Sequence, residues 1–319
     1  MSSGQHADRL LGESPAFMEI LERVSQMAPL NKPVLIVGER GTGKELIAAR
    51  LHFLSSRWDQ EFIKMNCAAI SDTLMETELF GHDAGAFTGA QKLHRGRFER
   101  ADKGSLFLDE LGSMPFETQS KLLRAIETKK YQRVGDAAMR QVELRAVSAG
   151  SGDILQAVAD KTFRKDLLFR LNTLVISLPN LADRGEDVLL LFRHYVDRLS
   201  TIYAVTVPDL TPDDIATLLS YHWPGNVREV QNVAERRVLA QKRGGGSVRR
   251  AITLQSTVQT VPETLREAVA AFEREVISRA LRNEDGRMDD VAGVLGIGRR
   301  TLNEKIVKLG LDKGALLSE

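Results

Sequence analysis

The stretch Gly38 to Glu45, "GERGTGKE", constrains this chain more than any other. It fits the pattern G-x-x-x-x-G-K and lies between an apolar run, "PVLIVG" (Pro33 to Gly38), and a helical pattern, "GKELIAARLHFLS". A strand that passes through glycines into a helix N-terminus turns backbone N–H groups toward an anion, and the helix end favours negative charge. Gly38, Glu39, Arg40, Gly41, Thr42, Gly43 and Glu45 are therefore expected around a bound nucleotide, with Lys44 reaching its β- and γ-phosphates. Glu45 stands where a Ser or Thr would ordinarily touch Mg2+, so metal binding must lean on a second motif.

That motif is "SLFLDE", Ser105 to Glu110, four mostly apolar residues ending in paired carboxylates. At a strand tip, Asp109 is placed to hold Mg2+ directly or through water. Glu110 is placed to orient and polarise an attacking water. The expectation is ATP hydrolysis, with ATP and Mg2+ as the cofactors.

Three more apolar runs, "FIKMNC", "VELRAVSA" and "TLVISLP", alternate with helical patterns such as "QSKLLRAIE". Such alternation implies an α/β fold with a parallel sheet and right-handed crossovers. After Pro179 the β-type runs stop. "EDVLLLFRHYVDRLS", "TPDDIATLLSYHW" and "NVREVQNVAERRVLAQ" read as three helices, the second opened by a Thr cap and a Pro. "QKRGGGSVRR", Gln241 to Arg250, reads as a flexible basic linker, and from about Pro262 the chain is helical again.

Composition excludes rather than selects. The chain has 319 residues, 43% hydrophobic and 27% charged, enough for about two domains. A formal net charge of +1 names no partner, so any nucleic-acid site must be a local patch. The single cysteine, Cys67, excludes an internal disulfide and is expected as a small buried residue. No run approaches the roughly 20 apolar residues that cross a bilayer, and the start lacks a signal core. A soluble, cytoplasmic chain without membrane insertion is expected.

"GAFTGA", Gly85 to Ala90, suits neither helix nor core strand. Its two glycines, Gly85 and Gly89, allow the positive φ values of a tight turn. Ala86, Phe87, Thr88 and Ala90 complete the turn, with Phe87 and Thr88 at an exposed tip, where an apolar ring is a binding feature.

Taken in order, "GERGTGKELIA", "NCAAI", "ELFGHDAGAFTGA", "GRFERADKGSLFLDE", "FRKDLLFRLN" and "WPGNVREVQN" resemble the bacterial enhancer-binding proteins. These are AAA+ ATPases that activate RNA polymerase carrying sigma-54. The resemblance runs from about Leu11 to Ala240 and implies an AAA+ P-loop core, 9–180, with an α-helical lid, 181–240. A tail, 1–8, precedes them; a linker, 241–262, follows, and a separate all-α domain covers 263–319. The resemblance implies that Gly85 to Ala90 grips sigma-54 while nucleotide drives its movement. Asn66 matches a switch that holds the catalytic glutamate; the alternative, read from the residue alone, is a strand-end Asn capping a turn. Arg164 and Arg170 match arginine fingers that reach a neighbouring subunit, and Arg228 matches a second sensor touching the phosphates. Assembly, six subunits by analogy, is thereby implied.

Two departures are visible. The first sensor should read Ala-Thr-Asn; here it is Ala149, Gly150, Ser151, and the polar group is missing or shortened. "LADRGED" lacks the usual arginine at Ala182 but keeps Arg184. The opening and "RLHFLSSRW" look closest to the phage-shock branch of the family, which lacks a receiver. The ATPase pattern starts within about ten residues of Met1, where no room for a receiver is expected, so control is expected in trans or through expression. Trp58 is then either an exposed anchor for an inhibitor resembling phage-shock protein A, or a half-buried core residue.

"RMDDVAGVLGIGRRTLNEKIVKLGL", Arg287 to Leu311, reads as helix, glycine turn, helix, with Gly296 at the turn. Val291, Val294, Leu295, Ile297, Leu302, Ile306 and Leu309 are expected as its core. Arg299, Arg300, Thr301, Asn303, Lys305 and Lys308 are left outward, side chains suited to base edges and phosphates. The module resembles the Fis-type helix-turn-helix. The stripe Leu265, Val269, Phe272, Val276 and Ala280 is expected to pair two readers on enhancer DNA. Two other functions stay open: a DNA-binding regulator with impaired ATPase, and a generic AAA+ remodeller.

Overall fold

The computed structural model describes residues 10–151, 154–242, 244–256, 273, 276–277, 280–281 and 288–309, the side chains of 254–256, 307 and 308 excepted. Two compact units follow one another, 1–251 and 252–319.

The first unit holds the strands β1 (Val34–Val37), β2 (Phe62–Asn66), β3 (Gly81–His82), β4 (His94–Arg95), β5 (Ser105–Asp109), β6 (Lys130–Tyr131), β7 (Arg140–Gln141), β8 (Arg145–Gly150) and β9 (Leu174–Ser177). The five longer ones are those expected from the apolar runs. They form one parallel sheet in the order β2-β5-β8-β1-β9. Period-two alternation sends Leu35, Ile63, Leu106, Leu108 and Ala146 to one face, under the helices Asp72–Phe80, Phe116–Thr128 and Lys165–Leu171. Ile36, Phe107, Val147, Ala149 and Ile176 face the helices Pro15–Met27 and Lys44–Phe53. Because every strand points the same way, Gly38, Asn66, Asp109 and Gly150 gather at one rim.

Helix Pro15–Met27 was not anticipated, and Arg145 explains part of its placement. This buried guanidinium donates to the carbonyls of Met27, Ala28 and Lys32, at 3.0, 2.7 and 3.2 Å, so it caps the helix C-terminus from β8. Burial, with Arg57 nearby, pulls its pKa down to about 10. Ahead of the same helix, Asp187 accepts from the Glu13 and Ser14 N–H groups and the Ser14 hydroxyl, and pairs with Arg184 at 2.9 Å. Arg184 also donates to the Leu11 carbonyl and lies 3.9 Å from the Phe17 ring centroid. The segment before the helix is thus strapped to the start of the lid.

The lid helices are Asp187–Tyr203, Pro212–Ser220 and Asn226–Gln241. Thr211 and Asp214 close a reciprocal capping box on the second. A further helix, Val248–Ser256, occupies part of the stretch expected as linker. Its first turn is tied down, because the buried Val248 N–H donates to Asp214 Oδ1 at 3.0 Å and Ala251 is buried.

In the second unit the helices Met288–Val294 and Arg299–Lys308 flank a turn at Gly296, whose φ is +64°. Val291, Ala292, Leu302 and Leu309 form its core with Ile277, Ala280 and Leu281. Val294, expected in that core, is 66% exposed. It lies three residues after Val291, and the half-buried Leu295, four residues on, takes the inward position. Leu265, Val269 and Phe272 lie outside the described residues.

Candidate nucleotide site, tip hairpin and DNA-reading module

The phosphate loop owes its shape to three glycines, two of them in left-handed backbone. Gly41 and Gly43 have φ of +85° and +98°, and a Cβ on Gly41 would stand 2.3 Å from the Gly225 carbonyl oxygen of the lid. Gly43 caps the helix Lys44–Phe53. Lys44 is buried and folds back across the loop, Nζ donating to the carbonyls of Gly38 at 2.9 Å and Glu39 at 3.0 Å. Burial lowers its pKa, while the carboxylates of Glu110 and Asp109 oppose that. The Thr42 hydroxyl donates to the Glu39 carbonyl at 2.8 Å. Glu45 points elsewhere, pairing with Lys64 of β2 at 2.9 Å.

Asp109 ends β5, and its Oδ1 accepts the Glu110 N–H at 3.0 Å. Burial raises the Asp109 pKa, that hydrogen bond lowers it, and the neighbouring Glu110 raises it again. Glu110 itself has φ +51°, a left-handed conformation that a non-glycine residue rarely adopts. Such backbone persists where surrounding structure fixes it, often beside reacting groups. A cleft of about 970 Å³ opens between the loop, the strand tips and the lid, lined among others by Arg40, Asn66, Asp109, Glu110, Ser151 and Arg228. Cys67, buried behind the two carboxylates, has its thiol pushed up to about 12 by burial.

Asn66 lies within this cleft, but its Oδ1 accepts the Ala68 N–H at 2.9 Å and so caps its own turn. Among the described residues it shares no hydrogen bond with Glu110. Ser151 reaches the cleft where the first sensor belongs, and Gly150 closes β8 beside Val37. Arg164 and Arg170 do not line this cleft. Arg164 pairs with Asp166 and lies over the Phe116 ring, in a groove with Phe163 and Phe169. Arg170 lines a cavity with Lys32, Arg145 and Thr173, where β1, β8 and β9 begin, at the rim away from the phosphate loop.

The sequence reading missed Asn226. Fully buried and itself in left-handed backbone, it links the lid to the phosphate loop. The motif "WPGN" was in view, but only the arginine that follows it was assigned.

Gly85 to Ala90 stands on the antiparallel pair β3–β4, itself joined to the loop after β6 through His82 and Val134. Gly85 and Gly89 have φ of +83° and +104°; the Gly85 N–H donates to the Ala90 carbonyl at 2.7 Å and closes the turn. Phe87 is 42% exposed, Thr88 is exposed and Ala90 is buried. Gly135, from the loop between β6 and β7, packs so closely on Ala86 that a Cβ there would sit 2.5 Å from the alanine Cβ. Below, the buried Arg133 pairs with Asp83 at 3.1 Å and Glu99 at 2.6 Å, holding the two hairpins together. Trp58 is 64% exposed in the turn before β2 and is not a half-buried core residue. Its neighbour Arg57 anchors that turn to Glu143 at 2.9 Å.

In the second unit Arg299, Arg300, Thr301 and Asn303 are exposed on the helix Arg299–Lys308. Arg299 pairs with Asp289 at 2.7 Å, Arg300 with Glu304 at 3.2 Å, and Lys305 with Glu273 at 2.5 Å. Lys305 is half-buried rather than fully outward, held by its ion pair with Glu273. The Lys308 side chain lies outside the described residues.

A parallel sheet in this order, with a phosphate loop and an acidic strand tip facing a helical lid, defines a P-loop ATPase of the AAA+ class. The chain matches the Sigma-54 interaction domain family over 10–177, the AAA+ ATPase lid domain over 182–271, and the Fis family of bacterial regulatory proteins over 268–309. It is 45% identical to the Psp operon transcriptional activator of Escherichia coli, across 92% of this chain and 95% of that one. It is 38% identical to the regulatory protein AtoC of the same organism, across 98% of this chain and 70% of the relative. Crystallised NtrX from Brucella abortus in complex with ATP superposes with a TM-score of 0.74 at 31% identity, across 96% of this chain and 70% of that one. The chain belongs to the sigma-54-dependent transcriptional activators, AAA+ ATPases that here carry a Fis-type helix-turn-helix. No described helix is long and apolar enough to cross a membrane.

Proposed function

We propose that this activator binds enhancer DNA through the helix Arg299–Lys308 and uses ATP hydrolysis to drive Gly85 to Ala90 against sigma-54, remodelling closed promoter complexes. One observation carries the reading. Phe87 and Thr88 form an exposed tip on a neck rooted in the same domain that gathers Lys44, Asp109, Glu110 and Arg228 at one cleft.

In this reading the loop amides and Lys44 bind the nucleotide phosphates. Lys44 exchanges its two loop carbonyls for phosphate oxygens. Glu110, fixed at the strand tip, takes a proton from the attacking water. Asp109 suits Mg2+, a hard cation that is usually held by one or two carboxylates plus phosphates and water; when bound, the ion neutralises charge developing on the phosphates. Arg228 faces the phosphates from the lid. Asn66 would have to exchange its own turn for Glu110 to act as a switch.

Arg164 and Arg170, away from their own cleft, suit service in a neighbouring copy. A trans arginine is worth about 10³ to 10⁵ in rate, so turnover requires assembly, six copies by analogy. The exposed Trp58 suits a regulator resembling phage-shock protein A, in line with the name of the Psp operon activator. Domain limits follow the same reading: tail 1–8, core 9–180, lid 181–240 and reader 263–319, with the helix Val248–Ser256 inside the stretch 241–262, in a cytoplasmic protein.

The test is transcription in vitro from a sigma-54 promoter, with and without hydrolysable ATP. Thr88→Ala should release phosphate as the native chain does yet form no open complexes. Normal transcription by that variant, or activity indifferent to hydrolysis, overturns the reading. A second reading, a DNA-binding regulator with impaired ATPase, is favoured by Gly150 and by Ser151, a shorter polar side chain lining the cleft in place of an asparagine. Phosphate release that rises with assembly decides against it.

A further inference from the structure

The neck beneath the Gly85 to Ala90 turn carries a stack of rings that the nucleotide chemistry does not use. His82 on β3 and His94 on β4 are direct cross-strand partners, their imidazole centroids 5.4 Å apart at an interplanar angle of 25°. The Phe87 ring meets His82 edge-to-face, at 4.9 Å and 65°. His82 Nδ1 is buried and has no hydrogen-bond partner among the described residues, so ring contacts rather than hydrogen bonds place this imidazole.

His94 is braced in turn. Its Nε2 lies 3.6 Å from Glu78 Oε1, and Glu78 Oε2 takes Arg97 Nη2 at 3.1 Å. The exposed tip is therefore not free: Phe87 lies against its own neck, and the neck is held from below. Gly85 and Gly89 bracket this contact in left-handed backbone, and a Cβ on either would meet nothing within 4 Å. The space beside these two glycines is open, while the Gly85 N–H closes the turn on the Ala90 carbonyl.

We propose that His82 is the seat of Phe87, a positioning residue that, steadied by His94, holds the ring against the neck and sets how readily it leaves for a partner. The inference rests on reading Gly85 to Ala90 as the sigma-54 contact. Edge-to-face ring pairs are favoured but weak, so removing the seat should shift the seated population by about two- to tenfold.

The test uses the full chain with para-fluorophenylalanine placed at position 87 alone, observed by fluorine NMR without nucleotide. His82→Ala should move and narrow the resonance, His82→Phe should restore it, and ATP turnover should persist in both. At subsaturating sigma-54 and a γ-phosphate transition-state mimic, His82→Ala should raise capture about two- to tenfold. A resonance unmoved by His82→Ala, or moved and not restored by His82→Phe, overturns the seat. If His82→Ala does not fold, His94→Ala removes the brace and should move the resonance in the same direction; no movement overturns the proposal equally. Failure of the native chain to capture sigma-54 in any nucleotide state defeats the functional reading, while the fluorine signal still decides the seat.

Discussion

Asn226 Nδ2 donates to Glu39 Oε2 at 3.1 Å, a lid carboxamide bound to the phosphate loop. The same amide also donates to the Arg40 carbonyl at 3.3 Å, and its Oδ1 accepts the Leu181 N–H at 2.7 Å. The next residue, Val227, donates its N–H to the Gly41 carbonyl at 3.0 Å. One buried side chain thus joins the loop that grips phosphate, the start of the lid and the turn before Arg228. These bonds tie the position of the lid to the shape of the loop.

Asn226→Ala leaves Glu39 and the Leu181 N–H without this partner. It should destabilise the first unit by about 2 kcal/mol, as a lost buried hydrogen-bonding group does. Nucleotide affinity should fall with it. Denaturant unfolding and titration with a fluorescent ATP analogue check both, and unchanged values in the two would refute the tether.

Glu110→Gln keeps the shape of the side chain but removes the proposed base. Nucleotide binding should be retained while phosphate release falls by about 10² to 10⁴. Binding lost in parallel with hydrolysis would mean that Glu110 supports the cleft rather than the reaction.

Asp187 supplies a pH signature. Burial alone would push its pKa up, but the N–H groups of Glu13 and Ser14, the Ser14 hydroxyl and Arg184 hold it below the usual carboxylate value. A carboxylate depressed in the folded state stabilises fully above its unfolded pKa, about 3.9, and loses that contribution as pH falls through the folded value. Asp187→Asn should cost about 3 kcal/mol near neutral pH, since it breaks a buried ion pair. The gap from the native chain should close as pH drops below about 4. Thermal unfolding across that range measures it, and a gap independent of pH would contradict the assignment.

Arg300 is highly exposed, its side chain 92% open beside Glu304, whereas Arg299 is engaged with Asp289. Arg300→Ala should weaken binding to a palindromic enhancer by about 1–3 kcal/mol. Fluorescence anisotropy at several salt concentrations checks this. Equal affinity in both proteins would remove Arg300 from the interface.

The sheet was legible because each of its strands carries a mostly apolar run, and the phosphate loop because its glycines and lysine sit in a fixed local pattern. Glu110 could be named from the strand it ends. Its left-handed backbone could not, since that conformation is imposed by packing. Asn226 was hidden for a different reason: its partners Glu39, Arg40 and Leu181 are remote in sequence, and no local periodicity marks them. Arg145 reads as a surface charge interrupting a strand until the end of helix Pro15–Met27 and the loop after it bring three carbonyls to it. Val294 shows the opposite failure, an apolar residue at nearly the right spacing whose inward place Leu295 takes. The ring stack at the neck is invisible in sequence because His82 and His94 meet only once β3 and β4 pair.

Lys44 and Arg170 occupy opposite rims of a single sheet, too far round the fold for one chain to bring both to the same phosphate. Where Arg170 completes catalysis, each molecule therefore owns half of two reaction centres and the whole of none. Dilution alone would silence such an enzyme, and the concentration at which its members meet becomes a control setting that no side chain within the cleft can override.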